Sequence, residues 1–281
     1  MEFINTLPQP LITVTLFIFG LSIGSFANVC IYRLPKKESV FSPVSYCIAC
    51  LVPIRPLDNI PIISYLVLRG RCRDCNNNIS TIYPAIEIIT ALLLLAGFSK
   101  FGLTFDFLVY FLVAPALVII TAVDIKHQII PDIITLPGLA LGLVAGSYSI
   151  GYVNSFMGFL LGCGLFYLVA LLSNGGMGGG DIKYIAAAGA FVGWQKVLLI
   201  IFIGAVLGIE GLHALDGKSN NVDTLYEAGF RIMGLHHFFD NKLGGSLHGE
   251  SNAGLTTFGQ EILSAMLSKD IIIDLKSYGT E

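Results

Sequence analysis

The sequence predicts an all-α polytopic membrane protein of about seven transmembrane helices, with a cysteine-bearing loop after the first span and a short α/β tail fragment. Three observations lead there. Apolar residues make up 54% of the chain and charged residues 12%, with a mean hydropathy of +0.77, a composition foreign to ordinary soluble domains. The apolar residues come in runs near the ~20 residues that a bilayer requires. The polar remainder is concentrated in residues 33–83 and 210–281. A net charge of −3 with few, clustered basic residues argues against a nucleic-acid binder.

The first run, Leu11–Tyr32, lacks the basic start and small-residue cleavage site of a secretory signal, so it is expected to stay as an anchor. No Lys or Arg precedes it, whereas Arg33, Lys36, Lys37, Arg55, Arg69, Arg71 and Arg73 follow. The positive-inside bias puts this loop in the cytoplasm and the N-terminus outside. Further spans are expected at Pro84–Phe98, Phe105–Val123, Ile133–Ile150, Val153–Leu172, Ile182–Trp194 and Val197–Ile209. Alternating through seven spans brings the loops holding Asp124 and Asp181 to the same cytoplasmic face.

At Glu210 the composition turns polar. Val222–Ala228 and Thr257–Ser268 read as amphipathic helices, and Phe230–Leu235 and Ile271–Leu275 as short buried strands. This gives four segments: an anchor at 1–32, the four-cysteine loop at 33–83, a membrane domain at 84–209 and an α/β fragment at 210–281.

Cys47-x2-Cys50 and Cys72-x2-Cys75 have the spacing of a tetrahedral structural zinc site. The alternative is disulfide pairing, which a reducing cytoplasm disfavours. Cys30 and Cys163 lie in apolar runs and read as packing residues. Asp124 and Asp181 are lone acids at the edges of apolar segments, where a charge is expensive unless it serves a function. They could each cap a helix, as Asp132 after Pro131 does most simply. They could instead form a carboxylate dyad, one protonated and polarising a carbonyl, the other ionised and taking a proton from water.

From Phe17 to Gly208 the chain resembles the type IV prepilin peptidases of pilus and type II secretion systems. The resemblance lies in Gly24-Ser25-Phe26-Ala27-Asn28-Val29 leading to Tyr32-Arg33-Leu34-Pro35, in the two cysteine pairs, and in Asn59-Ile60-Pro61 through Tyr65. It continues with Leu68-Arg69-Gly70-Arg71-Cys72, Tyr83-Pro84 with Glu87, Asp124 through Asp132, and Gly178-Gly179-Gly180-Asp181-Ile182-Lys183. It implies that Asp124 and Asp181 are the catalytic pair of an intramembrane aspartyl protease, with Gly178 and Gly180 as motif glycines. The implied substrate is a prepilin or pseudopilin cut at the cytoplasmic face of the bacterial inner membrane. The new N-terminus is then methylated from S-adenosylmethionine, which makes the loop the methyltransferase region. No Gly-x-Gly-x-x-Gly after a strand marks a donor site.

Relative to that family the membrane part is expected to lack its last span. The tail from Glu210 to Asp274 resembles an internal piece of the membrane (renal-type) dipeptidases, (β/α)8 zinc enzymes. On that resemblance Glu210 matches a metal-bridging carboxylate and His237 a substrate-contacting histidine, both vestigial because the other ligands are missing. Three readings compete: an active prepilin peptidase with an appended tail, an inactive chimeric remnant of it, and a zinc metallodipeptidase. The last needs a ligand set that is not present.

Overall fold

A computed structural model describes residues 8–172, 178–209, 215, 218–235, 241–244 and 254–274. The chain divides into two compact units, residues 1–141 and 142–281. In the first, α1 (Gln9–Arg33), the short α2 (Ile63–Val67), α3 (Ile82–Phe101) and α4 (Phe105–His127) are followed by the start of α5 (Asp132–Ile150). The second holds the rest of α5, then α6 (Tyr152–Leu172), α7 (Gly179–Val192) and α8 (Trp194–Leu207).

Small residues decide how α1 and α3 pack. A Cβ at Gly20 would lie 2.6 Å from the Ala91 Cα, and one at Gly24 would lie 2.5 Å from the Glu87 Cα. The two backbones touch there, as small residues permit inside a bilayer, where no hydrophobic drive separates helix from lipid. Asn28, one turn further along α1, donates its amide to the Tyr83 carbonyl at 3.0 Å. Ala27, Cys30, Ile86, Ile119 and Val123 fill the core between these helices and α4. Thr104 caps α4 by accepting from the Phe107 N–H.

In the second unit α6 and α7 cross at Gly158 and Gly189, where a side chain on either would strike the other's carbonyl. Ser155 lies in the same seam and donates its hydroxyl to the Ala190 carbonyl at 2.8 Å. A Cβ at Gly162 would come within 2.7 Å of the Ile185 carbonyl.

Among the described residues five helices, α1 and α3 to α6, are long and apolar enough to cross a membrane. The sixth and seventh expected spans are present as helices that begin and end two to three residues earlier than expected, and both are short for a membrane crossing. Here α7 and α8 have 14 residues each, about 21 Å of helix against a ~30 Å hydrocarbon core. Gly193, at φ +84, interrupts the run between them.

Beyond α8 the described residues form three parallel strands, β1 (Gly208–Ile209), β2 (Ile232–Gly234) and β3 (Ile272–Asp274), in the order β1-β2-β3. Helices α9 (Asn221–Glu227) and α10 (Thr257–Leu267) lie in the connections. Leu215, Val222, Met233, Leu235, Leu243, Ile262, Met266 and Ile271 form its core. The expected helices and strands of the tail are thus present as an alternating β/α piece, to within about two residues at each end.

Candidate functional site

Two similar turns bring the four cysteines together. In the first, Leu51 donates to the Cys47 carbonyl at 2.8 Å and Cys47 to the Val52 carbonyl at 3.0 Å. In the second, Asn76 donates to the Cys72 carbonyl at 3.0 Å and Cys72 to the Asn77 carbonyl at 2.9 Å. Leu51 and Asn76 take positive φ values of 60° and 57° to close them. The Sγ atoms of Cys47, Cys50, Cys72 and Cys75 all lie within 4.8 Å of one another, and none is in a disulfide. Bonds of ~2.3 Å to a tetrahedral ion put sulfurs ~3.8 Å apart, and Cys47 and Cys75 are separated by 3.8 Å.

Backbone N–H groups and the neighbouring thiols set the ionisation of this cluster. The Cys50 N–H, followed by the Ala49 N–H and neighbouring thiols, favours the Cys47 thiolate and draws its pKa down to about 7. The Val52 N–H does the same for Cys50, but desolvation and the other three thiols outweigh it and push that group up to about 12. Four adjacent thiols do not ionise together unless positive charge is supplied. The cluster can hold a metal ion. Beside it, Arg73 forks onto Asp58 with contacts of 2.7 and 2.6 Å and holds that carboxyl below its usual range.

A cavity of about 340 Å³ lies between the cysteine turns and the loop-side ends of α1 and α3. Its walls include Asn28, Arg33, Tyr46, Tyr65, Tyr83 and Glu87. Arg33 is buried and gives its guanidinium to the carbonyls of Ser39, Pro43 and Val44. Glu87 is also buried and accepts the Ile62 N–H at 2.8 Å. Sequence reading did not assign this cavity. Tyr83-Pro84 with Glu87 was its visible trace.

Asp124 is half-buried in the last turn of α4, next to the fully buried Val123. Its carbonyl accepts from Gln128, whose left-handed φ of 53° ends the helix. Asp181 is exposed in the first turn of α7, which Gly178 caps. A Cβ on Gly178 would stand 2.9 Å from the Asp181 Oδ2, whereas one on Gly179 would meet nothing within 4 Å. Gly180 lies in that same first turn. Asp124 belongs to the first unit and Asp181 to the second. Glu210 and His237 lie outside the described residues.

Comparison with known proteins gives three consecutive family matches. Residues 18–101 match the Bacterial Peptidase A24 N-terminal domain, 111–210 the Type IV leader peptidase family, and 202–281 Membrane dipeptidase (Peptidase family M19). Among curated relatives, the prepilin leader peptidase/N-methyltransferase of Aeromonas hydrophila is 36% identical over an alignment of 223 positions, with 68% of this chain and 77% of that protein covered. The enzyme of the same name from Legionella pneumophila is 32% identical over an alignment of 258 positions, with 79% of this chain and 89% of that protein covered. That from Neisseria gonorrhoeae is 34% identical over 225 residues, with 68% and 78% covered. No solved structure matches. The four-cysteine loop and the glycine-capped Asp181 fall inside the first two matches, and the small parallel sheet inside the third; the chain belongs to the prepilin leader peptidase/N-methyltransferase family of enzymes, fused to a segment similar to a membrane dipeptidase.

Proposed function

We propose that the chain is a membrane aspartyl endopeptidase that removes the leader of type IV prepilins or pseudopilins and methylates the new N-terminus from S-adenosylmethionine. The observation that carries this reading is the Asp181 carboxylate, presented at the start of α7 beside a glycine whose added Cβ would stand 2.9 Å from its Oδ2 and displace it. Residues 1–32 are the anchor, 33–83 the methyltransferase region, 84–209 the peptidase and 210–281 the dipeptidase-like fragment. The basic loop lies on the cytoplasmic side of the bacterial inner membrane and the N-terminus outside.

In the hydrolysis Asp124 and Asp181 share the roles of general base and general acid. The ionised member takes a proton from water, whose oxygen bonds to the scissile carbonyl carbon. The protonated member donates to the carbonyl oxygen. Collapse of the tetrahedral adduct breaks the C–N bond, and the proton taken from water passes to the leaving amine. Gly178 leaves the Asp181 carboxylate its space, and Gly180 shares that turn.

Cys47, Cys50, Cys72 and Cys75 hold a structural zinc that pins the two turns together. The methyl donor suits the cavity beside them. Arg33 and Glu87 are a buried cation and a buried carboxylate, neither ion-paired among the described residues, and walls of that kind favour a ligand carrying both charges. When bound, the donor supplies the methyl group, and the tyrosines provide aromatic faces for its cation and its base. We give Glu210 and His237 no catalytic role.

The test is co-expression with a prepilin in a host lacking its own peptidase, read by intact mass. A shortened product carrying one added methyl is expected. Asp124→Asn and Asp181→Asn should each abolish cleavage with the protein still in the membrane, and Asp132→Asn should be milder. A cleaved but unmethylated product would remove the donor reading alone. Uncut prepilin with the parent chain would leave the inactive remnant in its place.

A further inference from the structure

The loop between α1 and α3 exposes more apolar surface than a water-facing segment tolerates. Phe41 is 87% exposed, and Ile63, Leu66 and Val67 are 58%, 67% and 70% exposed. The last three fall at i, i+3 and i+4 of α2 and form one face of it.

Two contacts fix how deep this surface sits. The Ile62 N–H, just before α2, reaches the Glu87 carboxylate, which lies one turn or ~6 Å inward of Tyr83 along α3. On the other side of the hairpin the Phe41 ring packs on Phe26 with centroids 6.4 Å apart. Phe26 precedes Arg33 by seven residues, ~10 Å along α1. Both parts of the loop therefore descend beside the spans rather than standing on their ends.

The backbone there is equipped for such a place. The N–H groups of Ile60, Ser64, Leu66 and Leu68 donate to the Ser64 hydroxyl and to the carbonyls of Ile60, Ile62 and Ser64. Lipid-facing backbone must meet this condition. Charge agrees with it, since residues 34–81 carry six Lys or Arg against three Asp or Glu. Lys36, Lys37, Arg69 and Arg71 are exposed, and no described carboxylate pairs with Arg69 or Arg71. Such cations reach phosphates while apolar neighbours enter the acyl zone.

We infer that the loop is a monotopic membrane-binding element. Phe41 and the Ile63–Leu66–Val67 face of α2 are inserted among the acyl chains of the adjoining leaflet, and Lys36, Lys37, Arg69 and Arg71 sit at anionic phosphates. The occupant of this surface is lipid, in continuity with the membrane face of α1 and α3.

Trp194 is the only tryptophan, which makes the test direct. In a Trp194→Phe background, full-length Leu66→Trp and Phe41→Trp proteins, with Asn77→Trp as a solvent control, are reconstituted in vesicles containing phosphatidylglycerol. Acyl-brominated lipid should quench the first two strongly and the control little. In parallel, unaltered protein is exposed to a photoactivatable acyl-chain label and mapped by peptide mass, so that a misfolded variant leaves the question answerable. Label on the 56–69 peptide is expected. Red-shifted, unquenched emission at residue 66 would put the face in water. Blue-shifted emission without bromine quenching would mean that a second copy or a protein partner covers it. Either result, or label confined to the spans, overturns the proposal.

Discussion

A carboxylate is only as useful as the space kept free around it, and at Asp181 that space depends on its neighbour. An added Cβ at Gly178 would stand 2.9 Å from the Asp181 Oδ2, while Gly179 faces open space. Gly178→Ala is therefore expected to lower prepilin cleavage at least about tenfold, roughly 1.4 kcal/mol of barrier, and Gly179→Ala to leave it within about twofold of parent. Initial rates on a purified prepilin decide this, and equal losses at both positions would make the glycine run a matter of backbone flexibility. At the cysteines, Cys72→Ser should reduce bound metal from about one equivalent to under about a tenth, measured by elemental analysis of purified protein. The thiol cluster could be read from residue types and spacing alone, because two Cys-x2-Cys pairs have few other uses, whereas for Asp181 the residues left a helix cap and a dyad both open and only the family resemblance chose between them. The Arg33–Glu87 cavity could not be read from spacing. Its walls are more than fifty residues apart in sequence, and their proximity follows from how α1 and α3 pack.

Helices in this chain meet through glycine. Replacing Gly158 with Leu would drive a side chain into the Gly189 carbonyl and push α6 off α7. Gly158→Leu should abolish cleavage and lower the thermal midpoint in detergent, whereas Gly138→Ala, with nothing within 4 Å of its Cβ, should change neither. Circular dichroism melts with parallel cleavage assays distinguish the two cases. Hydropathy found nearly every helix to within a few residues but placed the ends of α7 and α8 two residues too far along the chain. An apolar run measures solvent preference, and the interruption at Gly193 is a dihedral property to which hydropathy is blind. Hydropathy was equally silent about α2, whose five residues are too short for any periodic signal to rise above its surroundings.

At the scale of the molecule, the tail assembles three parallel strands around a buried cluster of its own, whereas a (β/α)8 barrel closes only with eight. Deleting residues 210–281 is expected to leave prepilin cleavage within about twofold of the full chain, on a rate scale where tenfold is 1.4 kcal/mol. Dipeptide hydrolysis by the full chain should stay at background with added zinc. Loss of cleavage on deletion would show that the tail supports the membrane part, and zinc-dependent turnover would give it an activity of its own. The change of composition at Glu210 made the fusion legible. The start of the sheet was hidden, because Gly208 and Ile209 look like the last apolar residues of a span. That joint has a mechanical meaning. Helix α8 ends at Leu207 and β1 begins at Gly208, so the whole freedom of the joint is concentrated in one glycine rather than spread over a linker. Replacing Gly208 with a β-branched residue should narrow the distance distribution of a spin-label pair across the β strands and the α8 end, as stiffening a single knuckle stills a finger.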